Sequence, residues 1–143
     1  MRVLCINYEY SPIGGGGASA CKGLVESFVK KGHEVDLITS GMKGLPEYEE
    51  VNGVHIYRVK CIRRHKHFAR TLELISLVIP SYNKAVELIS KKKYDINHTH
   101  FIVPSGLVSY LIKRKTGLNY VVTAHGTDVA GNSLVSTPTV QFN

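Results

Sequence analysis

Val3-Leu4-Cys5-Ile6-Asn7-Tyr8-Glu9-Tyr10-Ser11-Pro12-Ile13-Gly14-Gly15-Gly16-Gly17-Ala18-Ser19-Ala20-Cys21 opens the chain, and its reading decides the fold. The apolar run Val3 to Ile6 begins almost at the N-terminus and is too short for a helix, so it reads as a buried strand. Beyond the glycines, Cys21, Leu24, Val25, Phe28 and Val29 recur at helical spacing with one face apolar. Gly32 stops that helix after Lys30 and Lys31, which suit the negative end of its dipole. His33 to Thr39 then reads as a second strand. Strand, glycine loop, helix and strand make a βαβ unit.

Gly14 to Gly17 point toward a ligand. Each glycine in ordered structure costs roughly 0.5 to 1 kcal/mol relative to alanine, so a run of them is a poor choice for a plain connector. Ahead of a helix they offer free N–H groups and a positive dipole end, and phosphate is the natural guest. A flexible surface loop is the plainer reading. Gly15-Gly16-Gly17-Ala18-Ser19-Ala20 matches G-x-G-x-x-A, the pattern of a dinucleotide-binding oxidoreductase. Against that, Tyr8 to Ile13 separate the strand from the glycines, and the second strand ends in Thr39-Ser40 with no acid for a ribose. A triphosphate-binding G-x-x-x-x-G-K-[ST] loop is absent.

At 143 residues the chain is expected to be one domain, and its net charge of +7 attracts anions, whether phosphorylated ligands, anionic lipid or nucleic acid. Cys5, Cys21 and Cys61 show no C-x-x-C spacing. With Cys5 and Cys21 at buried positions, the expectation is a reduced cytoplasmic protein with inert thiols, no metal and no cofactor. Neither a signal peptide nor a membrane span is read.

Farther on, Asn52-Gly53 marks a turn before a third strand, with Val54, Ile56 and Arg58 on one face and His55, Tyr57 and Val59 on the other. From Arg58 to Arg70 the chain carries six Lys or Arg, two His and no acid. Phe68 to Pro80 reads as a helix that Pro80 kinks or restarts, continuing through Tyr82, Val86, Leu88 and Ile89. The basic segment beside an apolar helix reads either as a solvated loop or as a peripheral contact with anionic membrane; the segment lacks aromatic interleaving, and no nucleic acid is expected. Asp95 to His100 forms a fourth strand. Pro104 opens a helix ending at Lys113-Arg114-Lys115 with Gly117 as its cap, and Asn119 to Ala124 forms a fifth strand leading into His125-Gly126-Thr127-Asp128.

Alternating strands and helices predict an α/β fold, a Rossmann-like parallel sheet with helices on both faces and ligands at the carboxyl ends of its strands. That rim collects the glycine loop, His98, His100, His125 and Asp128. Three histidines there invite a zinc reading; no Cys, Glu or further His is spaced to complete it. His125-Gly126-Thr127-Asp128 carries more weight, because a buried strand running into an imidazole and a carboxylate places polar groups where a ligand makes them cheap.

Four segments in this order and spacing resemble the N-terminal half of family 4 retaining glycosyltransferases of the GT-B fold: Met1 to Gly17, Val29 to Val35, Asp95 to His100, and Val122 to Asp128. The resemblance covers residues 1–129. It implies an acceptor-side domain facing a second Rossmann-like domain, with a nucleotide-sugar donor in the cleft and a sugar or lipid-linked acceptor. It implies that Gly15, Gly16 and Gly17 approach the donor diphosphate, that His125 serves the reaction centre, and that Glu9 and Asp128 lie on the acceptor side. No metal is implied.

Residues 130–143 depart from the family pattern and read as a polar, poorly ordered tail. The family's Glu-x7-Glu motif belongs to the second domain, which this sequence does not include, so the expectation is a truncated or split enzyme that is inactive alone. A non-catalytic domain for a phosphorylated or anionic ligand is the alternative.

Overall fold

The computed structural model describes residues 1–128 and the backbone of residues 141–142. In chain order the elements are β1 (Arg2–Ile6), α1 (Gly16–Lys30), β2 (Glu34–Ser40), β3 (Tyr48–Val51), β4 (Val54–Val59), α2 (Thr71–Lys91), β5 (Ile96–His100), α3 (Leu107–Thr116), β6 (Tyr120–Thr123) and β7 (Gln141–Phe142). They build a sheet of order β3-β4-β2-β1-β5-β6-β7. Strands β4, β2, β1, β5 and β6 run parallel, and β3 and β7 are antiparallel edges. The chain progresses outward from β1 in one direction through β2 and β4, then returns to β1's other side with β5. The strand order therefore reverses between β1 and β5, where their carboxyl ends open a crevice.

Both faces of the sheet are covered. Val3, Cys5, Val35, Leu37, Val54 and Ile56 pack with Cys21 and Val25 of α1 on one face. Leu4, Ile6, Ile38 and Val59 pack with Leu77, Ala85 and Leu88 of α2 and with Val108 and Ile112 of α3 on the other. The hydrophobic spacing that predicts α1 is the spacing that lets it lie on the sheet. Gly117 has a φ of 79° and closes α3, as its sequence position predicts.

The structure corrects several expectations. The sheet is mixed rather than wholly parallel, because Tyr48-Glu49-Glu50-Val51 pairs back on β4 through the Asn52-Gly53 turn. Pro80 neither restarts nor ends its helix: α2 runs uninterrupted from Thr71 to Lys91, with Glu73, Leu77, Ser81, Ala85 and Leu88 buried along one stripe. One lost helical hydrogen bond is outweighed by the burial of that stripe on the sheet. Pro104 lies within a wide turn, Ile102–Gly106, and α3 starts only at Leu107. Arg58 is 4% exposed, its guanidinium paired with Glu49 at 2.6 Å and donating to the Ser11 carbonyl at 3.2 Å. It is a structural tie between β4 and the segment before the glycines, not part of a basic surface. No helix among the described residues is long and apolar enough to cross a membrane. The proposed tail falls outside the described residues except for the backbone of Gln141–Phe142.

Candidate active site

The carboxyl end of β1 leads into Asn7, Tyr8 and Glu9, and the chain then loops over Gly14 to reach α1. Glu9 is buried, and its Oε1 accepts a hydrogen bond from the Ala18 N–H at 3.1 Å. A carboxylate thus sits at the positive end of α1. Burial raises the Glu9 pKa, and the backbone N–H groups of Gly15 and Ala18 oppose the rise. Gly14 and Gly17 are required by this arrangement. A Cβ on Gly14, whose φ is +100°, would lie 2.6 Å from Glu9 Cβ, and one on Gly17 would lie 2.6 Å from Glu9 Oε1 and 2.8 Å from Phe101 Cε2, with Phe101 Cζ closer still. Gly15 and Gly16 differ: both are exposed, and an added Cβ on either meets nothing within 4 Å. The open part of the predicted phosphate loop is therefore Gly15–Gly16, with Gly17 turned inward.

Across the crevice, β5 ends in His98-Thr99-His100-Phe101. His98 and His100 face the same side of the sheet, their ring centroids 4.8 Å apart. His98 Nε2 is hydrogen-bonded to Thr123 Oγ1 at 2.9 Å, whereas His100 Nδ1 meets His125 Nε2 at 3.1 Å. Because His98 is committed to Thr123, the three imidazoles do not converge on one ion.

Phe101, which sequence reasoning passed over, joins the two halves of the rim. It has a φ of 71°, and its ring lies 4.6 Å from that of Tyr8 and 4.4 Å from that of His125. The available signal was an aromatic residue directly after a strand at the carboxyl edge. Arg63 is a second such residue. It is half-buried, with its guanidinium 5.8 Å from the centre of the Tyr8 ring. The Gly14 N–H donates to the Lys66 carbonyl, so part of the basic segment folds over the glycine loop.

His125 is half-buried, and burial, then the charge of His100, lower its pKa. Both causes favour the uncharged ring, which carries one donor and one acceptor nitrogen. Asp128 Oδ2 accepts from the N–H groups of His125 and Ile102, each at 3.2 Å, and the Asp128 N–H donates to the His125 carbonyl at 2.8 Å. The carboxylate therefore fixes the His125 loop against the turn before α3. Asp128→Ala is expected to cost about 1 to 2 kcal/mol; an unchanged urea midpoint would show that these bonds contribute nothing.

His98 makes a pH prediction. Burial first, then the charges of His100 and His125, push its pKa from the ordinary 6.5 down to about 4. The unfolded chain thus takes up this proton before the folded one as pH falls, so stability is lost between pH 6.5 and 4, by about 3 kcal/mol in full. The urea midpoint should fall across that window, and His98→Gln should flatten the fall. Equal slopes for the two proteins would contradict this assignment.

A doubly covered sheet with a glycine-led helix and a histidine loop at its switch point defines a Rossmann-like domain. The chain belongs to Glycosyltransferase Family 4, whose profile matches residues 14–139. It is 38% identical over 130 residues to an uncharacterised glycosyltransferase of Methanocaldococcus jannaschii, covering 90% of this chain and 32% of that protein. It is 27% identical over 129 residues to the N-acetyl-alpha-D-glucosaminyl L-malate synthase of Bacillus anthracis, covering 84% of this chain and 30% of that one. The fold is similar to that of sucrose-phosphate synthase from Thermosynechococcus elongatus, with a TM-score of 0.73 at 18% identity over 88% of this chain and 33% of that chain. This chain spans about a third of the length of these relatives.

Proposed function

We propose that this chain is the acceptor-side domain of a retaining glycosyltransferase, which moves a sugar from a nucleotide-sugar to an acceptor hydroxyl once a second Rossmann-like domain faces the rim. The observation that carries the reading is the meeting of the glycine loop and His125 through Phe101, which touches both. Gly15 and Gly16 present exposed backbone at the head of α1, beside the Glu9 carboxylate, for the donor diphosphate. Neutral His125 then lies on the same rim to hydrogen-bond the transferred sugar, and Glu9 and Asp128 shape the acceptor side by holding the two loops.

In the reaction the bond from the anomeric carbon to the diphosphate oxygen breaks, the acceptor oxygen bonds that carbon on the same face, and the acceptor proton leaves with the diphosphate. Orientation and stabilisation of the departing charge supply the rate. Gly16→Ala tests the phosphate loop. It should leave the fold unchanged, because nothing lies near the new methyl, yet weaken nucleoside diphosphate binding by the two-domain enzyme at least fivefold. Unchanged affinity would move the diphosphate elsewhere.

The acceptor end of this reading includes peripheral contact with anionic lipid at the cytoplasmic face. Leu72, Ile75 and Ile79 are 75%, 60% and 70% exposed along one face of α2, and Phe68 continues that row into the basic segment. Arg64, Lys66 and Arg70 flank them and are exposed. At about 1 kcal/mol per cation near an anionic surface, three give roughly a hundredfold preference over neutral lipid. Leu72→Glu with Ile79→Glu should reduce sedimentation with phosphatidylglycerol vesicles more than tenfold. Equal binding by the variant, or no preference for the anionic vesicles, would assign this face to something other than lipid.

A further inference from the structure

The fold gathers Cys5, Cys21 and His100, far apart in sequence, behind the candidate active site. Cys5 lies on β1, Cys21 on α1 and His100 at the end of β5. Their ligand atoms all lie within 4.8 Å of one another, and the two Sγ atoms are 4.0 Å apart. All three side chains are buried, at 0%, 0% and 1% exposure. His100 Nδ1 is engaged by His125, but His100 Nε2 has no hydrogen-bond partner despite complete burial. A buried imidazole nitrogen without a partner, beside two sulfurs, needs an explanation.

From this geometry we infer that Cys5, Cys21 and His100 form a binding site for a soft divalent cation of the zinc class, with the two thiolates and His100 Nε2 as ligands.

Two thiolates on one zinc, each about 2.3 Å from it, stand about 3.8 Å apart in a tetrahedron. The observed sulfur separation needs almost no adjustment. Charge selects the ion. Two thiolates neutralise a dication and the imidazole stays neutral, so no net charge is left in the core; a monovalent ion would leave a buried negative charge. Ligation at Nε2 also fixes the His100 tautomer: its proton moves to Nδ1 and is donated to His125 Nε2. The metal would act on the candidate active site only by orienting that imidazole. The sequence reading finds no metal because the ligands come from three separate elements and match no ligand motif.

The site reaches the transfer reaction only through the His100–His125 contact, so its test reads metal directly. The reduced chain is refolded with one equivalent of cobalt(II), since ligands this deeply buried load as the fold closes. The expected result is one cobalt retained through gel filtration, with an intense thiolate-to-cobalt absorption in the near ultraviolet and visible bands of a tetrahedral ion. Zinc should displace it and raise Tm. Cys21→Ser should abolish the near-ultraviolet band, and Cys61→Ser should retain it. The control on Cys61 keeps the result readable if Cys21→Ser fails to fold. Failure of the wild-type chain to retain cobalt, or a band lost in Cys61→Ser, would overturn the site.

Discussion

His125→Ala in the two-domain enzyme is expected to lower turnover at least tenfold while leaving the circular dichroism spectrum and Tm nearly unchanged. The side chain is half-buried, and its contacts are the His100 imidazole at 3.1 Å and the Phe101 ring at 4.4 Å. Both partners are buried, at 1% and 4% exposure, but neither belongs to the two apolar clusters that pack the helices on the sheet, so truncation leaves the sheet intact. The loss falls on the reaction centre, where a positioned donor or acceptor of this kind commonly supplies two or more orders of magnitude. A rise in KM with turnover retained would place His125 in ground-state binding alone, and wild-type kinetics would remove it from the site. Asp128→Ala serves as a comparison, because that residue acts on the same loop only through backbone hydrogen bonds and should cost less.

Gly17→Ala is the second large effect, and its sign on stability is opposite to that of Gly16→Ala. The new methyl at position 17 would stand 2.6 Å from Glu9 Oε1 and 2.8 Å from Phe101 Cε2, with Phe101 Cζ closer still, all far inside van der Waals contact. Neither neighbour is free to retreat. Glu9 is held by the Ala18 N–H, and Phe101 is wedged between the Tyr8 and His125 rings. Overpacking of this kind costs about 1 to 3 kcal/mol, a fall in Tm of roughly 4 to 12 °C for a chain of this length. It also disturbs the Phe101 bridge, so turnover should drop more than stability alone accounts for. At position 16 the methyl meets open space, and alanine favours a helix over glycine by up to about 1 kcal/mol, so Tm should hold or rise slightly. Equal thermal behaviour of the two variants would contradict the placement of Glu9 and Phe101.

The βαβ unit was legible because α1's buried positions, Cys21 and Val25 among them, repeat at helical spacing and Val3 to Ile6 form an unbroken apolar run. The rim followed from topology, since each strand's carboxyl end could be assigned once the alternation was seen. What escaped the sequence depended on tertiary contact. Strand β3 carries Glu49 and Glu50 and shows no apolar strand pattern; it is a strand because Glu49 meets the buried Arg58 and Val51 packs beside β4. Arg58 counted as one cation of a basic run, yet it lies in the interior, where its pairing with Glu49 is what makes burial tolerable. Pro80 is a local breaker overruled by the stripe from Glu73 to Leu88. Glu9's seat at the head of α1 and the gathering of Cys5, Cys21 and His100 both require knowing which strands are neighbours. Local pattern carries no such information.

Joining residues 1–128 to a donor-side half of a family 4 enzyme tests whether this rim works in sugar transfer. Nucleoside diphosphate release would be measured across a panel of nucleotide-sugars and hydroxyl acceptors. The account predicts release that depends on both substrates and is lost on His125→Ala. Tight binding of phosphorylated ligands without release in any pairing that folds would contradict it and would make the domain a binding module.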